Sequence, residues 1–252
     1  TRYVADAFQA IGLAPAGDDG YFQPFEFTSG VSIDGVNMLV AQGEGGVENE
    51  AALDADFRPL SFSKPGSVGF GDVVFAGYGL DAPADGAQAA YDSYGDLDVK
   101  GKWVLVLRFL PEGVDAERRQ HLNRYASLRF KAMAARDRGA VGLLVASGPA
   151  SQVKEQLVPL RFDASVAGTS IAAASISDVW ADKLFAKSGH TLAEAQKALD
   201  GGAVVPGFAL PGQTIGAHFT LTFETGKGRN VVGRLVVGAA PSKDVVIVGA
   251  HV

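Results

Sequence analysis

His251 is the residue of this sequence whose type and position most directly suggest chemistry. It follows Gly249 and Ala250, which end the apolar run Val245–Val248. Such a run predicts a strand buried on both faces, and ligands bind at the carboxyl ends of these strands in open α/β sheets. An imidazole is a common metal ligand, but a lone histidine at a strand end is more often structural. A hydrolytic zinc site needs about three protein ligands and an open position for water, so the spacing alone leaves both interpretations open.

The other histidines and the cysteine count add no second site. His121, His190 and His218 are scattered over different predicted elements, and we interpret them as structural or solvent-facing. The sequence has no cysteine, which excludes disulfides and a thiolate zinc site.

A basic cluster lies on one predicted helix of this acidic chain. It consists of Arg118, Arg119, Arg124, Arg129, Lys131, Arg136 and Arg138. One interpretation is a solvated helix face, partly paired with Asp115, Glu117 and Asp137. The other is an electropositive rim that attracts acidic peptides. Both stay open from the sequence.

Length and composition describe a globular protein. The chain has 252 residues, 47% of them hydrophobic, and a formal net charge of −6. The negative charge argues against nucleic acid as a partner. No apolar run approaches the roughly 18 residues that a transmembrane helix needs. We therefore expect one or two domains and no membrane span.

Periodicity and turn residues predict the elements that position these residues. The longest predicted helix is Asp115–Arg138, which Gly139 stops, and a change of composition near Pro59 predicts a domain boundary. The other predictions are a helix over Thr1–Leu13 with Tyr3, Val4, Ala7, Phe8 and Ile11 on one face; strands over Tyr21–Phe27, Val36–Ala41, Val68–Ala76, Trp103–Phe109, Val141–Ala146 and Ile171–Ile176; helices over Ser177–Ser188 and Leu192–Leu199 with Ser177 and Thr191 as N-caps; and strands over His218–Thr225, Val231–Val237 and Lys243–His251.

The middle of the sequence resembles a protease-associated (PA) domain. The likeness is carried by F-A-G-Y-G-L, by D-V-K-G-K-W-V-L-V-L-R and by R-Y-A-S-L-R-F-K-A-M-A-A-R-D-R-G-A-V-G-L-L-V. The last segment is the most specific, because it joins a helix through Gly-Ala directly to a strand. The resemblance covers residues 60–206.

The flanking parts resemble the catalytic domain of the M28 family of zinc aminopeptidases. The motifs are R-Y-V-A-D-A-F-Q-A-I-G-L near the start, and N-V-V-G-R-L followed by V-V-I-V-G-A-H at the end. In that family a PA domain is inserted between early elements of the peptidase. The resemblance implies a mixed α/β fold, with a β-rich PA-type domain and flanking helices over 60–206. Residues 1–59 and 207–252 are expected to form the incomplete front part of the α/β peptidase domain.

The same resemblance implies that His251 is a zinc ligand. In the family this strand runs into G-A-H-x-D or G-G-H-x-D, whereas the sequence stops at Val252, one residue before that Asp. The family's other ligands and its general-base Glu lie further on. We therefore expect a chain truncated within an enzyme that binds two zinc ions. Its zinc site would be incomplete, and the chain alone would be inactive.

The function implied by the resemblance is hydrolysis of N-terminal peptide bonds by the complete zinc aminopeptidase, outside the cell or in the periplasm. The PA domain would serve as a lid or as a wall that restricts the peptide or protein substrate. The predicted strand Val245–Val248 would self-associate or contact the rest of the catalytic domain. A binding or receptor-like protein that keeps both folds without zinc is the alternative. A PA module from another protease class is a third possibility, against which the terminal M28-like segment argues.

Overall fold

The computed structural model describes residues 1–46, 48–153, 157–161, 170–202, 204–238 and 243–250. In chain order its elements are α1 (Arg2–Ala10), β1 (Ala14–Pro15), β2 (Phe22–Ile33), β3 (Met38–Gly43), a 3-10 turn (Glu44–Gly46), β4 (Glu48–Glu50), β5 (Phe57–Pro59), β6 (Gly66–Phe75), β7 (Asp81–Ala82), β8 (Tyr91–Asp92), β9 (Trp103–Leu107), α2 (Ala116–Asn123), α3 (Leu128–Asp137), β10 (Gly142–Ala146), β11 (Ala172–Ile176), α4 (Asp178–Leu184), α5 (Leu192–Asp200), β12 (Phe208–Phe219), β13 (Leu221–Val231) and β14 (Gly233–Arg234). This mixture confirms the predicted mixed α/β class. None of the described helices is long and apolar enough to cross a membrane.

The chain divides into two compact units, and the smaller one comprises Thr1–Gly30 and Phe223–Val252. It contains α1 and the short antiparallel pair of β1 with β14, and most of the ribbon that β2 forms with β13. Gly12 takes a positive φ of 81° directly after the helix, which a glycine adopts without steric cost. The predicted apolar face of the helix is only partly covered. Val4 and Phe8 are half-buried, whereas Tyr3 is 84% exposed and Ile11 is 71% exposed.

The larger unit, Val31–Thr222, is built on an eight-stranded sheet. The strand order is β4–β3–β12–β6–β9–β10–β11–β5. The four strands β6, β9, β10 and β11 are parallel neighbours, while the outer strands pair antiparallel. Parallel strands are stable only when both faces of the sheet are covered.

Helices cover both faces of the parallel strands. On one face, Leu105 of β9 belongs to the same apolar cluster as Trp180 of α4. On the other, the neighbouring Val104 belongs to a cluster with Ala132 and Ala135 of α3. Successive side chains of a strand point to opposite faces, so a continuous apolar run is what this position requires. The strand predicted at Trp103–Phe109 is confirmed, with an end at Leu107.

The long helix predicted at Asp115–Arg138 is wrong in one respect, because it is two helices. Asp115 caps α2 by accepting a 2.8 Å hydrogen bond from the backbone N–H of Arg118. Ser127 caps α3 in the same way, accepting from Phe130 N at 3.2 Å. A serine side chain that bonds the backbone competes with helix continuation, and the first helix ends before it. Gly139, with φ of 86°, ends α3 as predicted.

The predicted N-caps of the next two helices are confirmed. The Ser177 hydroxyl accepts from Trp180 N at 3.2 Å. The Thr191 hydroxyl accepts from Glu194 N at 3.2 Å, and the Glu194 carboxylate accepts from Thr191 N at 3.0 Å. This reciprocal pair is a capping box, which satisfies two backbone donors at the start of α5.

The predicted strands near the end of the chain are mostly absent from the described residues. Of Val231–Val237, only Gly233–Arg234 forms a strand of its own. Residues 243–250 have no regular secondary structure, and Val245–Val248 are 80% to 91% exposed. A strand needs a neighbour that pairs with its backbone N–H and C=O groups, and no described strand pairs with this run.

Candidate functional site

The buried side chain of Lys131 organises the carboxyl end of β9. Lys131 lies on α3 and is fully buried. Its Nζ donates to the carbonyl oxygens of Leu107, Arg108 and Phe109 at 2.8, 3.0 and 2.7 Å. All three N–H groups of the ammonium are thereby used. Burial lowers the pKa of Lys131 well below the ordinary lysine value, while the three carbonyls favour the charged form.

These contacts fix the loop that carries Arg108 out of the sheet. The backbone N–H of Arg108 donates to Ala146 O at 2.8 Å, and its own carbonyl is held by Lys131. The main chain of Arg108 is therefore anchored on both sides, and only its side chain is left to point elsewhere. Its guanidinium lies 5.0 Å from the centre of the Phe109 ring.

A groove of about 830 Å³ opens beside this loop, and we call it the long groove. The loop after β9, the helix α2 and the loop after β10 form its sides. Its lining residues are Arg108, Phe109, Leu110, Glu112, Ala116, Arg119, Gln120, Asn123, Ala126, Ser127, Ser151, Gln152 and Val153. Five of these residues are apolar and eight carry polar or charged side chains, so the groove offers both packing surface and hydrogen-bonding groups. The size and open shape suit a short extended segment of peptide.

The floor of the long groove is braced by hydrogen bonds. Arg119 Nη2 donates to Glu112 O at 2.8 Å and to Pro111 O at 3.4 Å. The Asp200 carboxylate accepts from Glu112 N at 3.2 Å and from the Tyr78 hydroxyl at 2.5 Å. Burial, and then the Asp200 carboxylate, raise the pKa of Tyr78 far above its ordinary value. Tyr78 therefore stays protonated near neutral pH and holds the loop in place.

The sequence did not single out Arg108, and it misjudged Lys131 as part of a basic surface. A signal for Lys131 was nevertheless present. Leu128, Lys131, Ala132 and Ala135 follow the three- and four-residue spacing of one helix face, and the last three are the buried residues of α3.

The other members of the predicted basic cluster pair mainly with other parts of the larger unit. Arg124 binds Asp85 at 2.7 Å, Arg136 binds Asp137 at 2.7 Å, and Arg138 contacts Asp81 at 2.9 Å and Asp92 at 3.5 Å. Arg118 donates to the carbonyls of Ala89 and Ala90. For Arg118, Arg124, Arg136 and Arg138, these contacts match the interpretation of a solvated, partly paired surface, although most of the partners lie outside the helix.

The predicted metal ligand and the other histidines do not come together. His251 lies outside the described residues. His121 is buried, with Nε2 2.9 Å from Pro83 O, and the His190 ring lies 4.7 Å from that of Phe208. His218 Nδ1 lies 2.7 Å from Ser67 Oγ on the neighbouring strand. Its other described partner is the Thr220 hydroxyl, so the carboxylate that would orient the base of a serine nucleophile is not among its described contacts.

The described residues do not by themselves fit a zinc site. Within them, no group of three or more His, Asp or Glu side chains is arranged to hold a metal ion. Zinc needs about three such ligands in a hydrolytic site, and the zinc assignment of His251 stays a prediction.

Comparison with known proteins identifies the part of the chain that holds the long groove. Residues 69–184 match the PA domain family. This part of the chain is a PA domain. The match runs from β6 to the end of α4 and lies inside the predicted domain 60–206, whose two boundaries stay predictions. It includes every residue of the long groove.

The whole chain has weaker likenesses. No curated protein matches it. Among solved structures, it is similar to BSAP, a zinc aminopeptidase from Bacillus subtilis, with a TM-score of 0.38 and 15% identity. A second structure of BSAP at medium resolution gives a TM-score of 0.36 and 17% identity. Each comparison covers 95% of this chain and 41% of the other, so the chain spans about two fifths of their length.

Proposed function

We propose that this chain is the front part and PA domain of a zinc-dependent M28 aminopeptidase that hydrolyses N-terminal peptide bonds. The observation that carries the proposal is the PA domain over residues 69–184. It lies between sequence segments that resemble the M28 catalytic domain. The flanking M28 assignment and the role of His251 as a zinc ligand rest on that resemblance.

The long groove is the surface through which the PA domain would contact the substrate. Its walls combine exposed apolar surface, such as Phe109, with the polar side chains of Glu112, Gln120 and Asn123. Backbone and side-chain amides of a peptide find partners in such a surface, while its apolar side chains pack on the walls. The PA domain would thus contact the substrate away from the zinc ions and restrict which peptides reach them. Because the loop after β9 is anchored by Lys131, this wall is preorganised.

The test of the enzyme assignment begins with the reading frame after codon 252. An Asp codon two positions after His251, followed by codons for a further Asp, a Glu pair and a second His, is the expected result. The protein from the complete frame is then assayed for zinc content and for release of the N-terminal residue from short peptides, with and without a chelator. We expect chelator-sensitive release, and loss of both zinc and activity in His251→Ala.

The competing assignment is a binding or receptor-like protein with the same two folds. Replacement of the downstream ligands, together with peptide binding but no hydrolysis, would favour the binding protein and contradict the enzyme assignment.

Under the enzyme assignment we expect the protein outside the cell or in the periplasm, which fractionation of the source cells would check. The 252-residue chain alone should show no zinc-dependent release.

A further inference from the structure

A second cavity adjoins the long groove on the other side of Arg108. Its volume is about 440 Å³, and we call it the arginine cleft. Three arginines, Arg108, Arg129 and Arg161, line it together with the hydroxyls of Ser61 and Ser127. They come from the loop after β9, from α3 and from residues 157–161. In a chain with a net charge of −6, three arginines from separate elements thus meet in one cavity.

Arg108 is a lining residue with a hydrogen-bond donor that lacks a described acceptor. Its Nη1 atom is buried and has no hydrogen-bond partner among the described residues. The partial burial of the guanidinium lowers its pKa, because burial disfavours the charged form. A buried donor of a charged group without an acceptor costs free energy. An anion in the cleft would supply that acceptor.

The structure also defines the positions of other lining groups. The Arg129 guanidinium lies 5.1 Å from the centre of the Phe62 ring, which fixes its direction. The Ser127 hydroxyl accepts from Phe130 N at 3.2 Å, and a hydroxyl that accepts one hydrogen bond can still donate another. Arg161 is exposed at the opening. No Asp or Glu among the described residues lines the cleft.

We propose that the arginine cleft binds a carboxylate group of a peptide. A guanidinium presents two parallel N–H groups that match the two oxygens of a carboxylate. The apolar wall of Leu60, Phe62 and Val158 gives the neighbouring part of a peptide a surface to pack on. The cleft is larger than a carboxylate alone requires, and it shares Arg108 and Ser127 with the long groove. A peptide in that groove can thus place one acidic end or side chain in the cleft.

The assignment of the carboxylate to a peptide rests on the proposed function. The anion site itself rests on the buried Nη1 of Arg108 and on the position of Arg161. The carboxylate has two sources, the free C-terminus of a peptide or an Asp or Glu side chain. Three short peptides distinguish these two sources. The first has an internal Glu and an amidated C-terminus, and the second has Gln in place of Glu and a free C-terminus. The third has Gln and an amidated C-terminus, so it carries neither carboxylate. Binding of each to the 252-residue chain is measured by calorimetry at low salt.

We expect at least one of the two carboxylate peptides to bind tenfold or more tightly than the neutral peptide. Arg108→Gln should remove this difference, and Arg108→Lys should keep part of it because a lysine retains the charge without the planar fork. Arg124→Gln is the matched control, since Arg124 is paired with Asp85 and lies outside the cleft. It should leave binding unchanged. Arg161→Gln, at an exposed position, should weaken carboxylate binding severalfold without any effect on folding.

Equal binding of all three peptides, or carboxylate binding that survives both Arg108→Gln and Arg161→Gln, would overturn the proposal. Binding of inorganic phosphate without binding of either carboxylate peptide would also overturn it. None of these measurements requires zinc or hydrolysis. An inactive complete protein with an intact carboxylate site would contradict only the proposed function, and an active one without the site would contradict only this inference.

Discussion

The burial of Lys131 is the feature at the scale of single residues that most shapes the site. Its ammonium replaces water with the carbonyls of Leu107, Arg108 and Phe109, at the point where β9 ends and its backbone loses its strand partners. Three acceptors offset part of the cost of removing the charge from water. The same contacts set the position of Arg108, so the electrostatics of the cleft depend on a lysine that does not line it.

Lys131→Met should lower the free energy of unfolding by about 1–3 kcal/mol at neutral pH, because it leaves buried carbonyls without a donor. The pKa of Lys131 is lower in the folded chain than in the unfolded chain. Between those two pKa values the unfolded chain binds more protons than the folded chain. The free energy of unfolding therefore rises with pH in this range, and it falls as the pH drops through the pKa of the folded chain. The difference between wild type and Lys131→Met should therefore grow from pH 7 to pH 9.5.

Urea unfolding followed by tryptophan fluorescence measures this difference, since Trp103 and Trp180 are both buried in the larger unit. Lys197→Met, at an exposed position of α5, is the control and should have little effect at either pH. A Lys131→Met chain as stable as the wild type at both pH values would show that the carbonyls need no donor.

The break between α2 and α3 is the decisive feature at the scale of elements. It brings Ser127 to the start of α3, where the residue caps the helix and lines both cavities. A single uninterrupted helix would carry residues 124–127 on its surface instead of at the edge of the long groove. The break also lets α3 present Lys131 to the sheet and Arg129 to the cleft.

Ser127→Ala should lower the free energy of unfolding by about 1 kcal/mol, because the N–H of Phe130 loses its side-chain acceptor. Ser127→Asp should retain most of the stability, since aspartate is an equally good N-cap. Urea unfolding of the two variants beside the wild type checks this. Equal losses in both would mean that Ser127 stabilises the chain by something other than capping.

At the scale of the whole molecule, the large sheet crosses both predicted domain boundaries. β3, β4, β5 and β12 lie outside residues 60–206, yet they belong to the same sheet as the parallel strands. β12 pairs with β6 along most of its length. The PA domain therefore shares hydrogen bonds and side-chain packing with its flanks inside the larger unit.

A fragment of residues 31–222 should unfold in one cooperative transition, because it keeps the whole sheet. The fragment 60–206 keeps the parallel strands and the helices over them. We expect it to fold with lower stability, since β6 loses β12 and β11 loses β5. Calorimetry of the two fragments checks this. Absence of a cooperative transition in 60–206 would show that the predicted domain boundaries are wrong.

The exposed run Val245–Val248 predicts self-association of the chain. Burying an apolar side chain of this size contributes roughly 1.5–3 kcal/mol, and an exposed cluster of such side chains favours contact with a second copy. Sedimentation velocity should show an average mass that rises with concentration, and Ile247→Asp should reduce that rise. The control Val179→Asp also places a charge at an exposed valine. A concentration-independent monomer in the wild type would contradict the prediction.

The sequence by itself determined most of the parallel core and its helix ends. Runs such as Trp103–Leu107 and Gly142–Ala146 are apolar at every position, a pattern typical of a strand covered on both faces. Caps at Ser177 and Thr191 and the stop at Gly139 were likewise predicted, because these signals act within a few residues of chain. The PA domain was predicted differently, from the resemblance of these segments to a known domain family, and residues 69–184 match that family.

Only the tertiary structure decided which polar residues meet. Arg108, Arg129 and Arg161 are far apart in sequence, and their convergence depends on the packing of α3 against the sheet and on the path of residues 157–161. The burial of Lys131 depends on carbonyls more than twenty residues away. A strand also forms only where another strand pairs with it. The apolar run Val245–Val248 predicted a strand, but no described strand pairs with this run. Local patterns fix local conformation, whereas long-range contacts fix the site.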